Sequence, residues 1–109
     1  MATYTAPLRD LRFVYEELFD AGEITTLEDY QDATPELVHA IVEEGAKLCQ
    51  NKLFPLNRSG DEEGCHFDNG NVRTPEGFRS AYAAYLKGGW GGLSCAPEFG
   101  GQGMPHSVN

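Results

Sequence analysis

Leu8, Leu11, Val14, Tyr15 and Leu18 recur at helical spacing, and one apolar stripe of that kind predicts a helix from about Pro7 to Asp20. Pro7 suits the first turn, where its missing N–H is no loss, and Gly22 follows as a stop signal. Thr26 precedes Asp29 by three residues. That is a capping box with Asp in place of Glu or Gln, and it predicts a short helix over Leu27 to Asp32. The strongest signal comes next. Leu37, Val38, Ile41, Gly45, Leu48 and Cys49 share one face, behind Thr34 as N-cap, Pro35 as first residue and Glu36 as a first-turn acid. Gly45 costs helix propensity in mid-helix, which predicts close approach of another element there. Glu43 and Lys47 are spaced as an i,i+4 pair on the outside. Pro55 sets the helix end near Leu53.

Beyond it the pattern turns polar, and Asn57 to Gly64 reads as loop. Cys65 to Arg73 reads as a β-hairpin about Asn69-Gly70, a pair that tolerates the positive φ angles of a two-residue turn. Strands so short are expected to lie on the helices. Thr74-Pro75-Glu76 repeats the Thr34-Pro35-Glu36 cap and predicts a helix from Pro75 to about Lys87, with Phe78, Ala81, Tyr82, Tyr85 and Leu86 inward. Seven of the thirteen glycines fall in the last 22 residues, around Trp90 and after Phe99, so this stretch turns tightly and admits close neighbours. Met104-Pro105-His106-Ser107 has the form of a further helix start, which suggests a chain cut from something longer. The fold class expected is mainly α: a small bundle of four to five helices with one short β-hairpin.

Composition narrows the function. With 109 residues and a formal charge of −9, the chain holds one small domain and repels both nucleic acid and anionic membrane surfaces. Its longest apolar run, Ala81 to Leu86, is too short for a membrane span, and Met1 to Leu8 lacks the form of a secretory signal. A compact domain this size buries somewhat over ~60% of its unfolded surface. Cys49, Cys65 and Cys95 are odd in number and widely spaced. Neither a disulfide framework nor a zinc knuckle is expected, and a reducing, cytoplasmic setting is. Between Phe13 and Ala46 there are ten carboxylates and no Lys or Arg. That run reads as a solvated outer face, with a docking surface for a basic partner as the functional alternative.

Candidate chemistry is sparse. His39 and Glu43 share a helix face, but two ligands make no metal site, and Cys65-His66 has no haem or zinc spacing. No nucleophile has a base and an orienting acid near it, so no catalytic residue is assigned. The glycine-rich tail lacks both the Gly-x-x-x-x-Gly-Lys and the Gly-x-Gly-x-x-Gly phosphate-loop patterns. Glu98 reads as a first-turn acid facing free backbone N–H groups rather than as a catalytic base. Phe78, Tyr82 and Tyr85 read as core rather than as a ring-stacking site.

The stretch Gly89-Trp90-Gly91-Gly92-Leu93-Ser94-Cys95-Ala96-Pro97-Glu98-Phe99-Gly100-Gly101-Gln102-Gly103-Met104-Pro105 resembles the loop near the end of the N-terminal helical domain of acyl-CoA dehydrogenases. That loop runs Gly-Trp, a short apolar link, Pro-Glu-x-Gly-Gly-x-Gly, then an apolar residue and Pro. Tyr4-Thr5-Ala6-Pro7-Leu8-Arg9-Asp10, leading into Phe13, is similar to the N-terminal extension of the longer subgroup, which includes 3-methylmercaptopropionyl-CoA dehydrogenases. The resemblance covers nearly the whole chain but only the beginning of such an enzyme. It implies an N-terminal helical extension over 1–33 and part of the N-terminal helical domain over 34–109.

The family joins this helical domain to a middle β-domain and a C-terminal four-helix domain, with FAD mostly between the latter two. A C-terminal carboxylate takes the α-proton of an acyl-CoA, and the flavin accepts a hydride from the β-carbon. The resemblance therefore implies a piece that is inactive alone and binds no FAD by itself. Such a piece packs against the missing domains of a homo-oligomeric enzyme and walls the substrate side of the cleft with Trp90, Phe99 and Met104. No cofactor contact maps onto a numbered residue. The reading of another class is a self-standing acidic helical protein-interaction module, resting on the run from Phe13 to Ala46.

Overall fold

The apolar stripe that begins at Leu8 does wind into a helix. In the computed structural model, which describes residues 3–109, α1 spans Leu8–Arg12 and passes directly into a wider π turn, Phe13–Leu18. The turn closes with Phe19 N–H donating to the Val14 carbonyl at 3.1 Å. The stop expected of Gly22 falls instead at Asp20, whose φ of 46° ends the helical path. Asp is among the few residues with a side chain that tolerate this left-handed region. Gly22 lies inside the next 3₁₀ turn, Ala21–Thr26. The Thr26–Asp29 capping box does not form. Thr26 Oγ1 donates back to the Glu23 carbonyl at 2.8 Å, and Leu27 precedes a single 3₁₀ turn, Glu28–Tyr30, where a short helix was predicted. A hydroxyl engaged with the preceding turn is not free to cap the following one.

Thr34 acts as predicted. Its Oγ1 accepts the Leu37 N–H at 3.3 Å, Pro35 takes the first position, and α2 runs Pro35–Leu48. Lys47 pairs with Glu44 rather than with Glu43. Both spacings are neighbours on a helix surface, and Glu43 instead faces α1 across a groove. The hydrogen bond to Glu44, then the charge of that carboxylate, raises the Lys47 pKa above 10.5, with Glu43 adding to the rise.

Pro55 does not end the helical path. The chain widens to a π turn at Cys49–Leu53, tightens to a 3₁₀ turn at Phe54–Leu56, and resumes as α3, Asn57–Glu63, where a loop was predicted. A proline clashes with the carbonyl four residues back only in a regular α-helix. Near the start of a fresh 3₁₀ turn its ring and its missing N–H are tolerated. Gly64, at φ 67°, then stops α3.

The hairpin forms as predicted: β1, His66–Asp68, pairs antiparallel with β2, Asn71–Arg73, with Phe67 opposite Val72. Asn69 and Gly70 both have positive φ, 47° and 81°. It does not lie on the helices, however; Phe67 and Val72 are 76% and 68% exposed. The second cap also differs from its sequence twin. The Phe78 N–H donates to the Pro75 carbonyl at 3.3 Å, Gly77 turns to φ 85°, and α4 begins only there, at Phe78–Lys87. The Leu56 side chain lies against Gly77, so a Cβ there would sit 2.6 Å from it.

The elements make a mainly α fold, but a thin one. Its extents are 53 × 38 × 18 Å and its radius of gyration is 17.1 Å, against about 13 Å for a compact chain of this length. The accessible surface is 8369 Å², where a compact domain of this mass exposes about 6,000 Å². Among the described residues the buried hydrophobic core is Ala33, Val38, Ala46, Ala81 and Leu93, with Pro75 and Pro105 buried beside it. Of the α4 residues expected inward, Ala81 alone is buried, while Phe78, Tyr82 and Leu86 are exposed. The α1 stripe likewise leaves Leu11, Val14 and Leu18 open. Periodicity marks which face a helix wants covered; a single layer of helices has nothing with which to cover it.

Candidate functional site

The glycine-rich stretch folds back on itself. Gly89, at φ 76°, turns the chain after α4; Trp90–Gly92 and Pro97–Phe99 make two 3₁₀ turns, and Gly100, at φ 86°, reverses direction. The two limbs are then laced by backbone bonds. Gln102 N–H donates to the Gly92 carbonyl, Gly103 N–H to the Cys95 carbonyl, and Met104 N–H to the Leu93 carbonyl, each at 2.9 Å. Gly101 packs directly on the Cys95 carbonyl, leaving no room for a side chain. This lacing buries Leu93 and holds Trp90 over Gly45 of α2, where a Cβ would sit 3.5 Å from the ring. The close approach predicted at Gly45 is therefore the indole of Trp90.

Each sequence-predicted residue has a distinct place. Trp90 is half-buried between the loop and α2. Met104 is half-buried and lines an open hollow of about 490 Å³ together with Asp29, Tyr30, Asp32 and Glu98. Phe99 stands 84% exposed at the reversal of the loop. Neither Trp90 nor Phe99 lines the hollow that Met104 lines. Glu98 is an exposed acid in the first turn of Pro97–Phe99 and lines the same hollow as Met104. With Asp29 and Asp32 it makes this hollow acidic and a poor seat for phosphates.

Two further concavities escape sequence reading because distant segments build them. One, of about 420 Å³, is an apolar groove formed by Leu53, Leu56, Phe78, Ala81, Tyr82 and Tyr85. Its rings are not the core expected of Phe78, Tyr82 and Tyr85; Tyr82 and Tyr85 stack with centroids 6.2 Å apart and planes 17° off parallel. The other, of about 500 Å³, lies between α1 and α2 and reaches Val108. Two polar atoms of residues lining it, Tyr15 Oη and His39 Nε2, are inaccessible to solvent and lack a hydrogen-bond partner. Glu16 Oε1 approaches His39 Nε2 to 3.0 Å but off the line a hydrogen bond requires. Arg12 Nε holds the other Glu16 oxygen at 3.2 Å. His39 thus meets Glu16 across the α1–α2 seam.

Nine of the ten carboxylates between Phe13 and Ala46 are exposed, and Glu16 alone is half-buried. Among the described residues no three His, Cys, Asp or Glu side chains are grouped to hold a metal ion, and no helix is long and apolar enough to cross a membrane.

No family model matches the chain. Individual proteins do. It is 37% identical over 106 residues, 97% of its length, to a 3-methylmercaptopropionyl-CoA dehydrogenase of Ruegeria pomeroyi, of which it spans 18%. Two butyryl-CoA dehydrogenases of Syntrophomonas wolfei match at 30% and 29% identity over 89% and 81% of the chain, which spans 16% and 15% of them. The chain therefore spans less than a fifth of the length of the curated relatives it matches.

Proposed function

From the premise that this chain belongs to the acyl-CoA dehydrogenase family, we propose that it is the leading helical part of an FAD-dependent enzyme that dehydrogenates an acyl-CoA thioester between its α and β carbons. Its work there is to pack against the remaining domains and to form part of the substrate-side wall. The observation that carries this reading is the uncovered surface. A chain with 8369 Å² accessible, against about 6,000 Å² for a compact domain of its mass, has left apolar faces open. Exposed apolar faces such as those of Leu11, Phe13 and Leu18, or of Phe78, Tyr82 and Leu86, mark an interface.

The hollow at Met104 presents Asp29, Asp32 and Glu98 to any diphosphate placed in it, which supports assigning FAD to the domains that follow. The proposed division is an extension over residues 1–33 and the start of the helical domain proper over 34–109. Three contacts support that the two parts pack as one body: Ala6 N–H donates to Gln50 Oε1 at 2.8 Å, Tyr4 and Phe54 rings approach to 5.9 Å, and Glu16 meets His39 at 3.0 Å. Trp90, Phe99 and Met104 remain the proposed wall residues. Since they share no hollow here, the rest of the protein must bring the cleft to them. A cytoplasmic homo-oligomer is proposed for the whole enzyme.

The open apolar faces weigh against a self-standing acidic module, which would cover its own core. The test is expression of the longer reading frame beside the 109-residue piece. The longer protein is expected to carry a flavin spectrum and to reduce an artificial electron acceptor with a short acyl-CoA, and the piece to do neither. A flavin-free, inactive longer protein, or turnover by the piece alone, refutes the reading.

A further inference from the structure

The groove between α1 and α2 holds a start of helix at one of its ends. Pro105 is buried in extended conformation, with φ −64° and ψ 152°, and His106–Val108 follows as one 3₁₀ turn. Val108 N–H donates to the Pro105 carbonyl at 3.0 Å and Asn109 N–H to the His106 carbonyl at 3.3 Å. Pro105 thus has the backbone angles of Thr34, the N-cap of α2, at φ −66° and ψ 152°, though without a side chain that caps. Val108 lies in the groove itself, beside Leu8, Leu11, Val38 and Val42.

We propose that the polypeptide following Asn109 continues this turn as a helix and lies in the α1–α2 groove, clasped between the N-terminal extension and α2. The proposal rests on the reading above that these 109 residues lead a longer enzyme. Three observations select this occupant. The relatives are more than five times longer than the part matched. The turn at 106–108 already enters the groove, so a continuing segment is delivered there without a search. And Tyr15 Oη, on a residue lining the groove, lacks the partner that a buried polar atom needs, which a polar side chain on the incoming helix would supply. A helix of about 12 residues, some three turns, is the length expected. Its apolar face meets Leu8, Leu11, Val38 and Val42. The extension would then be a strap over the segment that links this domain to the rest of the enzyme.

Photo-crosslinking of the longer protein tests this. A benzophenone amino acid replaces Leu11, which is 47% exposed here, and in a second protein Leu8, so that one misfolded variant does not decide the outcome; a third carries it at Phe67 on the remote hairpin. Digestion and mass spectrometry then locate the crosslinks. Adducts from positions 8 and 11 within the first ~15 residues after Asn109, a little beyond the three turns expected, and none there from position 67, are the result expected. Adducts to a distant segment or to a second copy, no adduct in the folded protein, or a reading frame that stops at Asn109, overturns the proposal. Enzymatic activity is read separately. A longer protein that crosslinks as expected but dehydrogenates nothing sinks the activity assigned above and leaves the strap standing. An active one that crosslinks elsewhere does the reverse.

Discussion

Gly45 of α2 and Trp90 of the glycine-rich loop are in contact across 45 positions of sequence, with the indole lying just beyond the point where a Gly45 side chain would begin. The absence of a long side chain there is what lets the ring rest on the helix. A Cβ at this position would meet Trp90 Cζ3 at 3.5 Å, an ordinary contact. Gly45→Ala therefore fits, and removing a mid-helix glycine is expected to stabilise the chain by about 0.5–1 kcal/mol. Gly45→Leu lifts the indole off α2. Thermal melting and the Trp90 emission maximum check both: a higher midpoint with unchanged emission for alanine, a lower midpoint with red-shifted emission for leucine.

Gly101 tolerates no such change. Its missing side chain faces the backbone carbonyl of Cys95, which no rotamer change can move. Gly101→Ala is expected to cost about 2 kcal/mol or more, the upper range for overpacking, and to break the bonds from Gln102 and Gly103 that lace the loop. Gly100→Ala has open space around it but a φ of 86°, so strain of about 1 kcal/mol is its whole penalty. Denaturant melts of the two variants should rank in that order.

The two threonine caps offer a matched pair. Thr34 Oγ1 accepts the Leu37 N–H, while Thr26 Oγ1 donates to the Glu23 carbonyl and caps no helix. Thr34→Ala should destabilise by about 1 kcal/mol, and Thr26→Ala by less than half of that. Equal losses in urea melts would contradict the cap assignment.

The Lys47–Glu44 pair is fully exposed, and its effect has a definite sign with pH. Lys47 is raised above its ordinary 10.5, chiefly by the hydrogen bond to Glu44. Whatever it contributes is fully present below 10.5 and fades as pH climbs through the raised value. Glu44→Gln is expected to leave the melting midpoint unchanged at neutral pH, since screened surface pairs contribute little. A drop of several degrees at pH 7 would refute this.

The shape is itself measurable. Small-angle scattering of the 109-residue chain should return a radius of gyration near the 17.1 Å of the structure, not the ~13 Å of a compact chain. A dye that fluoresces on apolar surface should bind it and be displaced in the longer protein. Leu86→Lys, at a site 55% exposed, should then raise the solubility of the piece and destabilise the longer protein.

Sequence alone determined what is local. The Thr34-Pro35-Glu36 start of α2, the Asn69-Gly70 hairpin and the demand for a close neighbour at Gly45 each follow from a few adjacent residues and the backbone conformations they allow. The Gly89-to-Pro105 stretch, together with Tyr4 to Asp10, was legible as a family resemblance for the same reason: each is a run of adjacent residues. What followed Pro55 and Pro75 was not legible. Whether a proline ends a helix, as expected near Leu53, or is passed through a widened and a tightened turn into α3, depends on what packs alongside. Tertiary structure decided that, along with the delayed start of α4 behind Gly77 and the separation of Trp90, Phe99 and Met104. It also decided that Phe78, Tyr82 and Leu86 stand open. A hydrophobic stripe states only that a face needs covering; which element covers it is a matter of distant contacts, and in this thin fold the faces of Phe78, Tyr82 and Leu86 stay open.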